Sequence, residues 1–235
     1  MTTQRVPGFK PSISGLHFGN LFPHAPVLRI PLPPFGCLPV GDAAGGLCGG
    51  MIFAARDYYE AGLSPPVNTA PPPQGSPLFN YLVRRLFASF NLPGGPIKYF
   101  AWMNLPDRDR PGARGVVWRT VRREWPRVRA DLEGGKLSPL GLVRVHSANP
   151  WQLGKNHQVL AYGYDLEETS GRLTILVYDP NHPDRDDVAI TLDVGHRALQ
   201  SLPGYSTGAP LRGFFRTRYS YCGPYLAGKN RQKNL

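Results

Sequence analysis

At 235 residues, 41% of them hydrophobic, the chain can bury one sizeable core and needs no covalent staples to fold. Its 27 Lys and Arg against 16 Asp and Glu give a formal net charge of +11, which points to solubility or an acidic protein partner. Nucleic acid comes second, because no zinc finger, RNA-recognition aromatic motif or basic zipper accompanies the charge. Three cysteines, Cys37, Cys48 and Cys222, with no CxxC pair exclude a dense disulfide framework and a cysteine-rich zinc site, leaving open one bridge between Cys37 and Cys222.

The amino terminus, MTTQRVPGFKPS, lacks the apolar core of a secretory signal, and no stretch approaches the roughly 20 apolar residues of a membrane span. A cytoplasmic protein is the expectation. Residues 1–47 are rich in Gly and Pro and read as irregular structure with one short strand, wrapping the body of the domain. His17, Asn20 and His24 are polar groups here that could approach a site.

Gly45-Gly46-Leu47-Cys48-Gly49-Gly50-Met51 then runs into IFAARDYYEAG. The apolar residues from Met51 to Ala61 fall too densely for a one-faced surface helix and predict one buried on most sides, stopped by Gly62 and Pro65-Pro66. Cys48 would sit at its amino terminus, where unpaired N–H groups and the positive dipole end favour a thiolate. The flanking glycines would clear space for a substrate carbonyl and expose backbone donors to its oxygen.

Residues 64–77, SPPVNTAPPPQGSP, predict an extended connector, either a plain surface loop or a wall of a substrate groove. Ser76-Pro77 caps a second amphipathic helix through Phe90. IKYFAWMNL follows as a strand or short helix. A third helix over 116–132 carries Pro126 in its interior, where a kink is expected, and a solvated arginine face. After Gly134-Gly135 the period changes to two: a strand through Leu142 to Val145, then a hairpin of His157–Tyr164 and Leu173–Tyr178 with a turn near Glu167–Gly171. The hairpin brings His157 and Asp179 to one end. A last strand is expected over Gly213–Tyr221, and residues 227–235 form a basic, disordered tail.

A thiol nucleophile needs a base, and the base needs an acceptor that orients it. Cys48, His157 and Asp179 can supply these roles, with Asn181 as an alternative third member. Taken singly, Cys48 reads as a core cysteine, His157 as a strand histidine and Asp179-Pro180-Asn181 as a turn. Their order argues for the site. An α/β-hydrolase elbow at Gly46-Leu47-Cys48-Gly49-Gly50 fits less well, because CLPVGDAAGG is a poor strand and the acid would have to pair with His182 or His196. A transglutaminase would have tryptophan soon after the histidine, where this chain has Gln158.

Cysteine at the start of a buried helix, followed by helices and then a sheet bearing histidine and a carboxylate, resembles the papain-like thiol hydrolases. The segments NHQVLAYGYD and VYDPN are similar to the histidine and Asp-Pro motifs of the bacteriocin-processing peptidase branch, and FKPS with GLCGGM is similar to a group of bacterial proteins. The resemblance rests on residues 45–62 and 132–181. It implies an α+β domain over 1–226, with a helical half at about 45–133 and a sheet half at about 140–222. It also implies nucleophile Cys48, general base His157, orienting Asp179, a peptide or amide substrate, and no metal or organic cofactor. That superfamily commonly places an oxyanion-binding glutamine six residues before the cysteine, where this chain has Asp42. A carboxylate would repel the developing charge, so either Asp42 is protonated or turned away, another group such as Asn20 donates, or the chain is a catalytically degenerate binding domain.

Overall fold

The helix that begins at Cys48 runs between two hydrophobic clusters. In the computed structural model, which describes residues 1–22, 28–31, 37–40, 46–195 and 201–226, it is α2 (Cys48–Glu60). Ile52, Phe53 and Ala55 join the cluster shared with the sheet, while Leu47, Met51, Ala54 and Tyr58 join the one shared with the next helix. This is why its apolar residues show no single face. Gly62, at φ +64°, follows its C-terminus, as the sequence predicts.

The N-terminal region is more regular than its composition suggests. It contains β1 (Thr2–Arg5), α1 (Pro11–Ser14), β2 (Leu28–Pro31) and β3 (Cys37–Val40), where one strand was expected. Among the described residues, β2 and β3 pair with each other in a separate two-stranded sheet. After α2 come α3 (Pro77–Ser89) and α4 (Gly94–Asn104). Ser76 caps α3 by accepting from the Phe79 N–H at 3.3 Å. The segment read as strand or short helix is therefore helix, starting at Gly94.

The predicted third helix is three pieces: α5 (Val116–Arg119), a wide π-type turn at Thr120–Glu124, and α6 (Trp125–Glu133). Pro126 lies in the first turn of α6, where its missing N–H costs least, and the irregularity falls in the turn before it. The solvated arginine face is present at Arg122, Arg123 and Arg127.

The sheet contains β4 (Ser138–Val143), β5 (His157–Glu167), β6 (Arg172–Tyr178), β7 (Ala189–Asp193), β8 (Gly204–Tyr205) and β9 (Gly213–Arg216). Its order is β8-β7-β6-β5-β4-β9, each pair antiparallel, and β1 joins the β5 edge beyond β4. All six residues of β4 are buried, so the expected alternation is absent there. The last strand stops at Arg216, and the chain continues to Tyr225 without strand pairing.

The result is an α+β fold. The antiparallel sheet does not fit the α/β-hydrolase alternative, which needs a parallel one. No helix among the described residues is long and apolar enough to cross a membrane.

Candidate active site

The β5–β6 hairpin sets the site. Leu160 pairs with Tyr178, so His157 at the start of β5 and Asp179 just after β6 share one end of the ladder. His157 Nε2 lies 2.6 Å from Asp179 Oδ1, and both side chains are buried. Since the carboxylate accepts from Nε2, the other nitrogen, Nδ1, is left for Cys48, whose side chain hydrogen-bonds His157 from the first turn of α2. Three elements thus converge on one imidazole.

The electrostatics follow from burial and contact. Desolvation alone would depress the His157 pKa, but the Asp179 and Cys48 charges and hydrogen bonds outweigh it and raise the value to about 10. Burial alone would raise Asp179. The His157 charge, with donors from His157, the Tyr205 hydroxyl and the Asn181 N–H, holds it below the ordinary carboxylate value.

Tyr205 and Tyr99 belong to the site although no sequence pattern marks them. Tyr205, on the two-residue β8, donates its hydroxyl to Asp179 Oδ2. Burial first, then the charge of Asp179, hold its phenol well above the ordinary range, while the Arg144 charge pulls the other way. Tyr99, on α4, donates to the His157 carbonyl at 2.9 Å. It packs edge-on against Phe215 over Gly141, where a Cβ would lie 2.6 Å from its hydroxyl.

The glycines around Cys48 are occupied by protein. A Cβ at Gly46 would lie 2.2 Å from Asn20 Nδ2, one at Gly49 2.1 Å from Ser89 Oγ, and one at Gly50 2.2 Å from the Leu82 carbonyl oxygen. The space they leave admits Asn20, a Ser89–Gln158 hydrogen bond of 3.1 Å and the α3 backbone. Clearance for substrate at these glycines, expected from the sequence, is thus replaced by close packing.

Asn20 is held against Gly46 by its N–H on the Pro180 carbonyl at 3.0 Å and by Nδ2 on Asn181 Oδ1 at 3.2 Å. Its Oδ1 is buried and has no hydrogen-bond partner among the described residues. Asn181 donates its N–H to Asp179 and pairs its side chain with Asn20, so it does not orient His157.

The remaining candidates lie elsewhere. Asp42, His24 and His196 fall outside the described residues. His17 lies 2.6 Å from Asp184, in an exposed pair. Cys222 carries a free, exposed thiol, so the bridge to Cys37 is not made. The proline-rich connector lines a groove with Tyr58, Leu78 and Tyr225. Tyr58 is ten residues along α2 from Cys48, about 15 Å at the helical rise, so this groove does not wall the site.

Behind the site α2 carries a buried acid. Asp57 accepts from Tyr81 at 2.5 Å and Tyr219 at 2.7 Å, and pairs with Arg85 at 2.7 Å. Arg56 lies 3.9 Å over the Tyr219 ring and donates to the Leu137 carbonyl. This cluster locks α2, α3 and the C-terminal segment together, and nothing in RDYYE signals it.

Compared with protein-family models, with curated proteins and with solved structures, the chain matches none.

Proposed function

We propose that this chain is a papain-like thiol hydrolase acting on an amide or related acyl bond, with Cys48 as nucleophile, His157 as base and Asp179 as orienting carboxylate. The observation that carries this reading is the contact from Cys48 through His157 to Asp179, which joins Cys48 to a pair more than a hundred positions further along the chain. The division into a helical half at about 45–133 and a sheet half at about 140–222 belongs to the same proposal.

The chemistry follows from the geometry. His157 Nδ1 takes the thiol proton, and the buried Asp179 stabilises the imidazolium that results. The Cys48 sulfur attacks the acyl carbon, its oxygen becomes negative, and collapse expels an amine that receives the proton from His157. Water or another nucleophile then resolves the thioester. N–H groups at the start of α2 can meet the oxyanion, and the Asn20 amide, packed against Gly46 just before the helix, is a candidate side-chain donor. Support for Asn20 comes from its burial, its anchoring on Pro180 and Asn181, and its contact with Gly46.

The test is the rate of iodoacetamide alkylation at each cysteine, located by mass spectrometry, in the wild type and in His157→Ala. Cys48 should react at least about tenfold faster than the exposed Cys222 at neutral pH, and His157→Ala should abolish the difference. Equal reactivity at the two thiols would overturn the proposal and favour a binding domain without turnover.

A further inference from the structure

The Cys48–His157–Asp179 site has a cation beside it that no described carboxylate neutralises. Arg144 follows β4 directly, two residues after Leu142, which pairs with His157 across the sheet. Its backbone N–H is fixed on Asn156 Oδ1 at 3.0 Å, and Asn156 immediately precedes His157. The start of the side chain is therefore tied to the strand end that carries the base.

Its charge also acts on the ionisation of the Tyr205 hydroxyl, which donates to Asp179. Yet Arg144 Nε is buried and has no hydrogen-bond partner among the described residues. The most buried arginines differ from it in having a carboxylate beside them. Arg56, Arg85 and Arg212 each pair with a carboxylate, Glu60, Asp57 and Asp107, at 2.6–2.7 Å. A desolvated guanidinium without a carboxylate is unfavourable, and each of those three has one within ion-pair distance.

We propose that Arg144 is a specificity residue that receives a carboxylate of the substrate, so that the scissile acyl group at Cys48 belongs to a molecule bearing a free carboxylate close to the reacting bond. This rests on the thiol-hydrolase reading above. A carboxylate matches the planar fork made by Nε and its neighbouring nitrogen, two parallel N–H donors for two oxygens. Acyl substrates of peptide origin carry that group at a chain end or on an Asp or Glu side chain, and a bulk net charge of +11 favours the approach of such anions.

Two alkylating probes of nearly equal size separate the charges. Iodoacetate carries a carboxylate one carbon from the site of attack, and iodoacetamide replaces it with a neutral amide. The quantity read is the iodoacetate-to-iodoacetamide rate ratio at Cys48, divided by the same ratio at Cys222 in the same sample. In the wild type this normalised ratio should exceed one, and in Arg144→Gln it should fall roughly tenfold. Arg144→Lys, which keeps the charge and loses the fork, should fall between them. A wild-type ratio at or below one overturns the carboxylate assignment without any variant. An Arg144→Gln ratio equal to wild type, in protein with unchanged circular dichroism, overturns it too. Failure of the thiol-hydrolase reading looks different, because it appears as iodoacetamide alone reacting no faster at Cys48 than at Cys222.

Discussion

The Tyr205 hydroxyl donates to Asp179 Oδ2 while His157 Nε2 lies against Asp179 Oδ1, so the carboxylate is engaged at both oxygens inside the protein. A phenol 48 residues after the histidine thereby fixes the group that orients it. Tyr205→Phe should slow Cys48 alkylation roughly tenfold at neutral pH, since a hydrogen bond to a buried charge is lost. The acid limb of the pH profile should move to higher pH, because Asp179 loses one of the donors that hold it low. A merely structural role would lower stability and leave that limb in place.

The pH dependence of stability has a defined sign. The folded-state pKa of His157, about 10, lies above its ordinary 6.5, so its contribution is complete below about 6.5 and drains away as pH rises toward 10. Asp179 is depressed, so its contribution is present above the ordinary carboxylate range and is lost as pH falls through its folded value. The urea midpoint difference between wild type and His157→Gln should therefore be largest near pH 5–6 and narrow toward pH 10. A difference that widened with pH would contradict the charge arrangement. Nuclear magnetic resonance of the imidazole should show the titration directly, with a lower value in Cys48→Ala.

Gly50 and Gly94 offer a paired test of helix packing. A Cβ at Gly50 would meet the α3 backbone at 2.2 Å, whereas one at Gly94 would meet nothing within 4 Å. Gly50→Ala should cost about 1–3 kcal/mol, because a backbone oxygen cannot step aside as a side chain can. Gly94→Ala should be close to neutral. Thermal unfolding of the two variants checks the contrast.

The Asp57 cluster predicts non-additivity. Asp57→Ala leaves the buried Arg85 guanidinium without its carboxylate and should destabilise by roughly 3–5 kcal/mol. Combined with Arg85→Met, the loss should be clearly smaller than the sum of the single changes, since the double variant has no orphaned charge. Denaturant unfolding of the four proteins measures the coupling.

Much of the fold could be read from local pattern. The α2 helix and the Ser76 cap of α3 follow from apolar density and a Ser-Pro pair, and the β5–β6 hairpin from a change of period to two. That hairpin also places His157 and Asp179 at one end, because antiparallel pairing ties the start of one strand to the end of the next. What local pattern could not reach depends on contacts between distant segments. β1 is a strand because β5 offers it an edge, and β8 is two residues long, too short to carry any period. Pro126 was visible as a disruption, but only packing of α5 and α6 on the sheet decides that it is absorbed as a π-type turn rather than a break.

For the site, the chain order of Cys48, His157 and Asp179 suggested three roles by itself, since residue type dictates which group can be nucleophile, base or acceptor. Tertiary structure alone decided their surroundings. It brought Tyr205, Tyr99 and Asn20 to the triad, filled the clearance at Gly46, Gly49 and Gly50 with protein, and left Arg144 Nε buried without a described partner. Residue type determines what a group can do, but burial and the neighbours it acquires are sums over segments far apart in sequence, and these set its charge and its access.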